Sequence, residues 1–89
     1  MSITDSPAQP QLIETQLRAF LADNFFVEDE LDPTESLTDA GVIDSTGVLE
    51  VVAWIEETFA IELPDADILP DNLDSIERIV RYVAGTLHG

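Results

Sequence analysis

Apolar residues recur at helical spacing in three separate segments of this chain, and no segment alternates as a half-buried β-strand would. This pattern constrains the fold most, because three amphipathic helices must bury their apolar stripes against one another. The predicted helices span residues 10–24, 45–59 and about 75–87, the last one capped by Asp74 or Ser75. With 89 residues there is room for one domain, so we predict a single all-α domain.

A long loop separates the first two predicted helices. It runs for about 18 residues, from Val27 to Asp44, without a sustained period, and long loops of this kind are often functional. Four spaced apolar residues are expected to attach it to the core: Leu31, Leu37, Val42 and Ile43. A short helical turn is predicted at residues 70–73. The chain is therefore predicted to form a small four-helix bundle, three main helices plus one short helix, over residues 10–87, with residues 1–9 as a flexible lead-in.

The charge of the chain excludes several classes of partner. It has 19 acidic residues against three arginines, and its formal net charge is −16. Phosphates would be repelled, which excludes nucleic acids and anionic membranes, so basic protein surfaces are the expected partners. No apolar run reaches the roughly 20 residues that span a bilayer, and the N-terminus lacks the features of a signal peptide. We therefore expect a cytoplasmic monomer.

The chain has few of the residues that perform catalysis or bind metals. It contains no cysteine and one histidine, His88, next to the C-terminus. Neither a disulfide, a zinc site nor a catalytic triad can be assembled from these residues. We therefore expect no metal site, no catalytic residue and no enzymatic activity.

The second predicted helix divides its side chains between two faces. At 100° per residue, an arc of about 100° contains the predicted core positions Val48, Val51, Val52, Ile55 and Phe59. Trp54 lies at the flank of this arc, where its ring is expected to pack. The outward face is acidic with small or apolar patches, and it comprises Thr46, Leu49, Glu50, Ala53 and Glu57, with Glu56 at its margin. This face is interpreted as a docking surface, with a merely solvated helix face as the alternative.

Ser45 begins this helix directly after the long loop. A serine at the start of a helix predicts, by itself, an N-cap whose hydroxyl accepts a backbone N–H. The same position lies at a surface, where the positive end of the helix dipole would favour a phosphodiester on the serine oxygen. Capping and attachment of a phosphate-containing group both remain open from the residue pattern.

The stretch from Gly41 to Pro64 resembles the acyl and peptidyl carrier proteins. The similarity lies in the pair Asp44-Ser45, in the helix pattern that ends with Ile55-Glu56-Glu57-Thr58-Phe59, and in the loop length and helix order around them. In that family the serine receives 4′-phosphopantetheine from coenzyme A. The resemblance implies attachment at Ser45 and a contact of Asp44 with the transferase and its metal. It also implies partner contacts along the outward face of the second helix, at Thr46, Leu49, Glu50, Ala53, Glu56 and Glu57.

Two local features distinguish this chain from carriers of fatty-acid synthesis, which commonly show Gly-x-Asp-Ser-Leu. Two residues separate Gly41 from Asp44, and Thr46-Gly47 follows Ser45. This spacing is more similar to D-alanyl carrier proteins and other stand-alone carriers. The implied function is an acyl or aminoacyl carrier that holds its cargo as a thioester in a specialised or secondary-metabolite pathway.

The implied partners are a phosphopantetheinyl transferase, an adenylating acyl or aminoacyl ligase, and a downstream acyltransferase or synthase. The alternative hypothesis is an acidic helical adaptor that uses the outward face of the second helix without any prosthetic group.

Overall fold

The computed structural model describes residues 10–25, 27 and 31–88. Within them lie four α-helices and no strand: α1 (Pro10–Asn24), α2 (Ser45–Phe59), α3 (Pro70–Leu73) and α4 (Ile76–His88). A 3₁₀ turn, Asp65–Asp67, precedes α3 and was not predicted. The predicted all-α fold, with three main helices, one short helix and a long first loop, is confirmed. The predicted lead-in of residues 1–9 lies outside the described residues.

Each long helix buries one apolar stripe, as its spacing predicts. The buried stripe residues are Ile13, Leu17 and Leu21 from α1, Val51, Val52, Ile55 and Phe59 from α2, and Ile76, Ile79, Val80, Val83 and Ala84 from α4. Val48, a predicted core position, is only half-buried. Of the residues expected to attach the first loop, Leu37 and Ile43 are buried, and Leu31 and Val42 pack half-buried against the core.

Aromatic rings connect α1 to α2. The ring of Trp54 stacks on that of Phe20, with centroids 4.9 Å apart, and meets Phe59 edge-on at 5.6 Å. Phe20 also contacts Phe25 edge-on at 6.1 Å. Such geometries suit the ring quadrupoles and add to the apolar area that the rings bury. Trp54 therefore packs at the flank of the α2 stripe, in agreement with its predicted structural role.

The first loop reaches α2 through a single helical turn that ends at Gly41. The Val42 N–H donates to the Leu37 carbonyl at 2.9 Å, and the Gly41 N–H donates to the Thr38 carbonyl at 3.1 Å. This pair of bonds is a Schellman motif, which places its C′ residue in the left-handed region. Gly41 occupies that position with φ 77°, a conformation that costs other residues about 1–2 kcal/mol. The motif directs the chain back to the core, so that Ile43 is buried immediately before α2.

Side-chain hydrogen bonds hold the second half of the chain together. Of the two cap residues predicted for α4, Ser75 is the cap, because its buried hydroxyl accepts the Arg78 N–H at 3.1 Å. The Tyr82 hydroxyl donates to Asp67 at 2.8 Å and so connects α4 to the 3₁₀ turn. Partial burial, together with this carboxylate, raises the pKa of Tyr82 above its ordinary value. Asp74 instead accepts hydrogen bonds from the first loop.

Candidate functional site

Ser45 is the first residue of α2 and is exposed, but it does not cap the helix. The N-cap is Asp44, whose backbone is extended (φ −118°, ψ −170°) and whose Oδ1 accepts the Gly47 N–H at 2.8 Å. The N-cap interpretation of Ser45 is therefore wrong, because the helical backbone begins at Ser45 and the capping side chain comes from the residue before it. Within the described part of the chain the Ser45 hydroxyl forms no hydrogen bond. That leaves its oxygen available as a nucleophile.

The first turn of α2 also has unused hydrogen-bond donors. Within the described residues, the backbone N–H groups of Ser45 and Thr46 have no partner, whereas those of Gly47 and Val48 are taken by Asp44. Two free N–H groups at the positive end of a helix dipole favour an anion. A phosphodiester on Ser45 therefore fits this turn electrostatically. Asp44 is exposed, and only one of its carboxylate oxygens is used by the cap.

Gly47 brings the first loop and the end of α1 unusually close to the attachment turn. A Cβ at this buried residue would lie 3.1 Å from the Ile43 Cβ and 3.1 Å from Cε1 of Phe25. Both distances are shorter than the 3.5–4.0 Å at which carbon atoms attract best, so a larger residue would force the chain apart. The glycine two residues after Ser45 thus has a packing reason.

The residues on either side of Ser45, Asp44 and Thr46, border open space. A groove of about 490 Å³ runs along the loop side of the turn and is bordered by Gly41, Asp44, Thr46 and Glu50. A smaller cavity of about 100 Å³ lies between the first turn of α2 and α3, where Val48 and Leu69 are among its lining residues. The surroundings of Ser45 therefore leave room for a modifying enzyme and for a flexible arm.

The outward face of α2 continues from Ser45 along the helix. Five of the six predicted partner positions are exposed: Thr46, Leu49, Glu50, Ala53 and Glu57. The sixth, Glu56, is half-buried, and its carboxylate accepts the Leu63 N–H at 2.9 Å, so it also fixes the chain after α2. Leu49 is 60% exposed, and Leu69, which the sequence analysis did not single out, is 47% exposed. The face thus combines carboxylates with an apolar side chain.

The described residues form neither a metal-binding group nor a membrane-spanning helix. No group of three or more His, Cys, Asp or Glu side chains there could hold a metal ion. No described helix is long and apolar enough to cross a membrane.

Comparison with known proteins identifies what this arrangement is similar to. The family model for the phosphopantetheine attachment site matches residues 15–83, which include Ser45 and all of α2. D-alanyl carrier proteins from Streptococcus pyogenes serotypes M5, M49 and M1 are each 36% identical over 76 residues, covering 84% of this chain and 94% of each relative. These matches favour the carrier interpretation over the adaptor without a prosthetic group.

Proposed function

Because this chain belongs to the family of carrier proteins with a phosphopantetheine attachment site, we propose that Ser45 is the residue to which its 4′-phosphopantetheine is attached. The observation that supports this most strongly is the exposed Ser45 hydroxyl, which has no hydrogen bond in the described part of the chain and begins a helix capped by Asp44. The neighbouring hydroxyl, that of Thr46, lies one residue further into the helix and does not follow an aspartate.

The attachment reaction uses the Ser45 oxygen as its nucleophile. It forms a bond to the phosphorus that bears the pantetheine in coenzyme A, and the pyrophosphate P–O bond breaks with loss of adenosine 3′,5′-bisphosphate. The hydroxyl proton passes to a base on the transferase, which also supplies Mg²⁺. The N–H groups of Ser45 and Thr46 would hold the phosphodiester, and the exposed carboxylate of Asp44 would contact the transferase or its metal.

After attachment, the chain itself binds partner enzymes and presents the cargo to them. The terminal thiol of the arm supplies a thioester linkage for an acyl or aminoacyl cargo. The folded domain raises the effective concentration of that cargo at a docked partner. The similarity to D-alanyl carrier proteins supports loading by an adenylating ligase and use of the cargo by a downstream acyltransferase or synthase. No step in this scheme needs a catalytic residue of the carrier.

Docking is assigned to the outward face of α2. Glu50 and Glu57 are exposed on the same helix as Ser45, and a net charge of −16 attracts basic surfaces over long range. Leu49, lying between Ser45 and Ala53 along this face, adds an exposed apolar contact. The partner expected for this surface presents an apolar pocket with lysine or arginine side chains at its rim.

The experiment that tests the proposal is modification in vitro. The unmodified protein is incubated with coenzyme A, Mg²⁺ and a promiscuous phosphopantetheinyl transferase, and its intact mass is recorded. We expect one phosphopantetheine on the wild type, one on Thr46→Ala, and none on Ser45→Ala. Thr46→Ala is the matched control, because it removes the adjacent hydroxyl. An unchanged wild-type mass would refute the carrier function, and a modified Ser45→Ala would refute the site.

A further inference from the structure

Asp74, at the junction between α3 and α4, forms hydrogen bonds with residues of the first loop that lie 36 and 38 positions earlier in the sequence. The Asp74 carboxylate accepts the Ser36 hydroxyl at 2.5 Å through Oδ2, and it accepts the Thr38 N–H at 3.1 Å and the Thr38 hydroxyl at 2.9 Å through Oδ1. Its carbonyl accepts the Leu37 N–H at 2.8 Å. We call these four residues the Asp74 cluster. Four accepted hydrogen bonds exceed the average of about one intramolecular hydrogen bond per residue in folded proteins.

The Asp74 cluster is joined directly to the segment that leads to Ser45. Leu37, which is fully buried, is also the residue whose carbonyl accepts the Val42 N–H at 2.9 Å in the Schellman motif. That motif ends at Val42, and only Ile43 separates it from the α2 cap, Asp44. Asp74 is thus hydrogen-bonded to the turn that leads directly to the cap, Asp44, and to the attachment serine after it.

Packing alone does not hold this turn in place. Thr38 and Asp74 both border the cavity of about 100 Å³, which also reaches Val48 in the first turn of α2. Empty space on that side means that few atomic contacts would oppose a movement of Thr38. Hydrogen bonds to Asp74 therefore restrain Thr38 on the side where packing is sparse, while the buried Leu37 side chain anchors the turn to the core.

The ionisation of Asp74 agrees with this role. Partial burial acts to raise its pKa, but the hydrogen bonds from Ser36 and Thr38 outweigh burial, with a smaller contribution from Arg78, and the pKa lies below its ordinary value of 3.8. The carboxylate is therefore ionised at neutral pH, when it can accept all three of the side-chain and amide donors.

We propose that Asp74 is a positioning residue for the modification of Ser45, holding the turn before α2 in the geometry that the phosphopantetheinyl transferase binds. The inference rests on the proposed attachment at Ser45. Without the Asp74 carboxylate, the turn samples several positions, and the transferase must select the competent one. The apparent affinity of the transferase for the carrier is then reduced in proportion to the fraction of carrier whose turn is in the competent position, while turnover of the bound complex changes little. A change in KM rather than kcat is therefore expected.

Two substitutions of Asp74 separate positioning from general stability. Asp74→Ala removes the three bonds to the carboxylate. Asp74→Asn keeps an oxygen for Thr38, and its amide can donate to the Ser36 hydroxyl, so the geometry is retained. Tyr82→Phe is the matched control, because it removes a hydrogen bond from the same half of the chain, to Asp67, that does not reach the first loop.

Steady-state modification with coenzyme A is measured for each variant well below its unfolding temperature. For Asp74→Ala we expect KM for the carrier to rise about fivefold with little change in kcat, and the amides of Gly41 and Val42 to exchange hydrogen about tenfold faster, while amides in the middle of α1 are unaffected. Asp74→Asn and Tyr82→Phe should stay within about twofold of the wild type in both measurements.

Each outcome decides a different point. If Asp74→Ala is modified with wild-type KM, or if Asp74→Asn is as impaired as Asp74→Ala, the positioning role is overturned while attachment at Ser45 stands. If KM rises equally in Tyr82→Phe, the effect is one of general stability and the inference is overturned. If the wild type itself is not modified, the proposed function fails and the inference with it.

Discussion

Replacing Gly47 with alanine tests whether the first loop and α1 approach the attachment turn as closely as the structure shows. In an open helical position this substitution would stabilise the protein by about 1 kcal/mol, because glycine loses more backbone freedom on folding. At Gly47 the new Cβ would lie 3.1 Å from the Ile43 Cβ and 3.1 Å from the Phe25 ring. Relieving each contact needs a movement of about 0.4 Å or more, to reach the 3.5 Å at which carbon atoms attract.

The two contacts differ in how easily they yield. The Phe25 ring is half-buried at the end of α1 and can shift, but the Ile43 Cβ is bonded directly to a backbone that is buried between the Schellman motif and Asp44. Overpacking of this kind costs about 1–3 kcal/mol. Set against the gain in helix propensity, the net expectation is a loss of about 1 kcal/mol, which lowers the unfolding temperature by about 4–8 °C in a domain of this size.

Gly85→Ala is the control for this experiment. Gly85 is an exposed residue in α4, and a Cβ there would meet nothing within 4 Å. Thermal unfolding followed by circular dichroism should show Gly85→Ala unchanged or stabilised and Gly47→Ala destabilised. If Gly47→Ala raises the unfolding temperature as much as Gly85→Ala does, the close approach at Gly47 does not exist and the packing reason given for this glycine is refuted.

Three further predictions concern carboxylates. Asp44→Asn should retain the cap and its stability while slowing modification of Ser45. Asp44→Ala should also lower the free energy of unfolding, measured in urea, by about 1 kcal/mol. Equal modification rates for Asp44→Asn and wild type would exclude a role for the charge. Glu50→Lys and Glu57→Lys should slow loading and reduce its salt dependence in stopped-flow assays. Glu62→Lys makes the same charge change on an exposed residue outside α2 and should have a smaller effect. Equal effects would mean that net charge, and not the outward face of α2, governs loading. Because its folded-state pKa is lowered, Asp74 contributes stability above pH 3.8, and this stability is lost as the pH falls through the folded-state pKa. The difference in unfolding temperature between wild type and Asp74→Asn should therefore narrow from pH 6 to pH 3. A constant difference would contradict this.

The helices could be predicted from the sequence because each one buries an apolar stripe with a regular period. The bounds of α1 and α2 agree with the structure, and the short helix at residues 70–73 does too. The 3₁₀ turn at Asp65–Asp67 was missed because three polar or small residues have no stripe to reveal it. The Schellman motif at Gly41 was not predicted, since a single helical turn is too short to show a period and only its hydrogen bonds identify it.

The site itself was predicted in part. Asp44 and Ser45 are both good N-cap residues, and which of them caps α2 depends on where the helical backbone begins, which their order does not reveal. The reason for Gly47 depends on Phe25, 22 positions earlier in the sequence, and the Asp74 cluster joins residues 36 and 38 positions apart. Contacts between such distant residues follow from packing of the whole chain. Glu56 was placed correctly at the margin of the face, but its bond to Leu63 depends on the path of the chain after α2.

Attachment of the phosphopantetheine of this carrier to Ser45 can be tested directly. Fragmentation mass spectrometry of the protein, after treatment with coenzyme A, Mg²⁺ and a phosphopantetheinyl transferase, locates the modification on a single residue. We predict one phosphopantetheine per chain, on the peptide that contains Asp44-Ser45-Thr46, with the added mass on Ser45. An added mass on Thr46 or any other residue, or no added mass on a folded protein, would contradict this account.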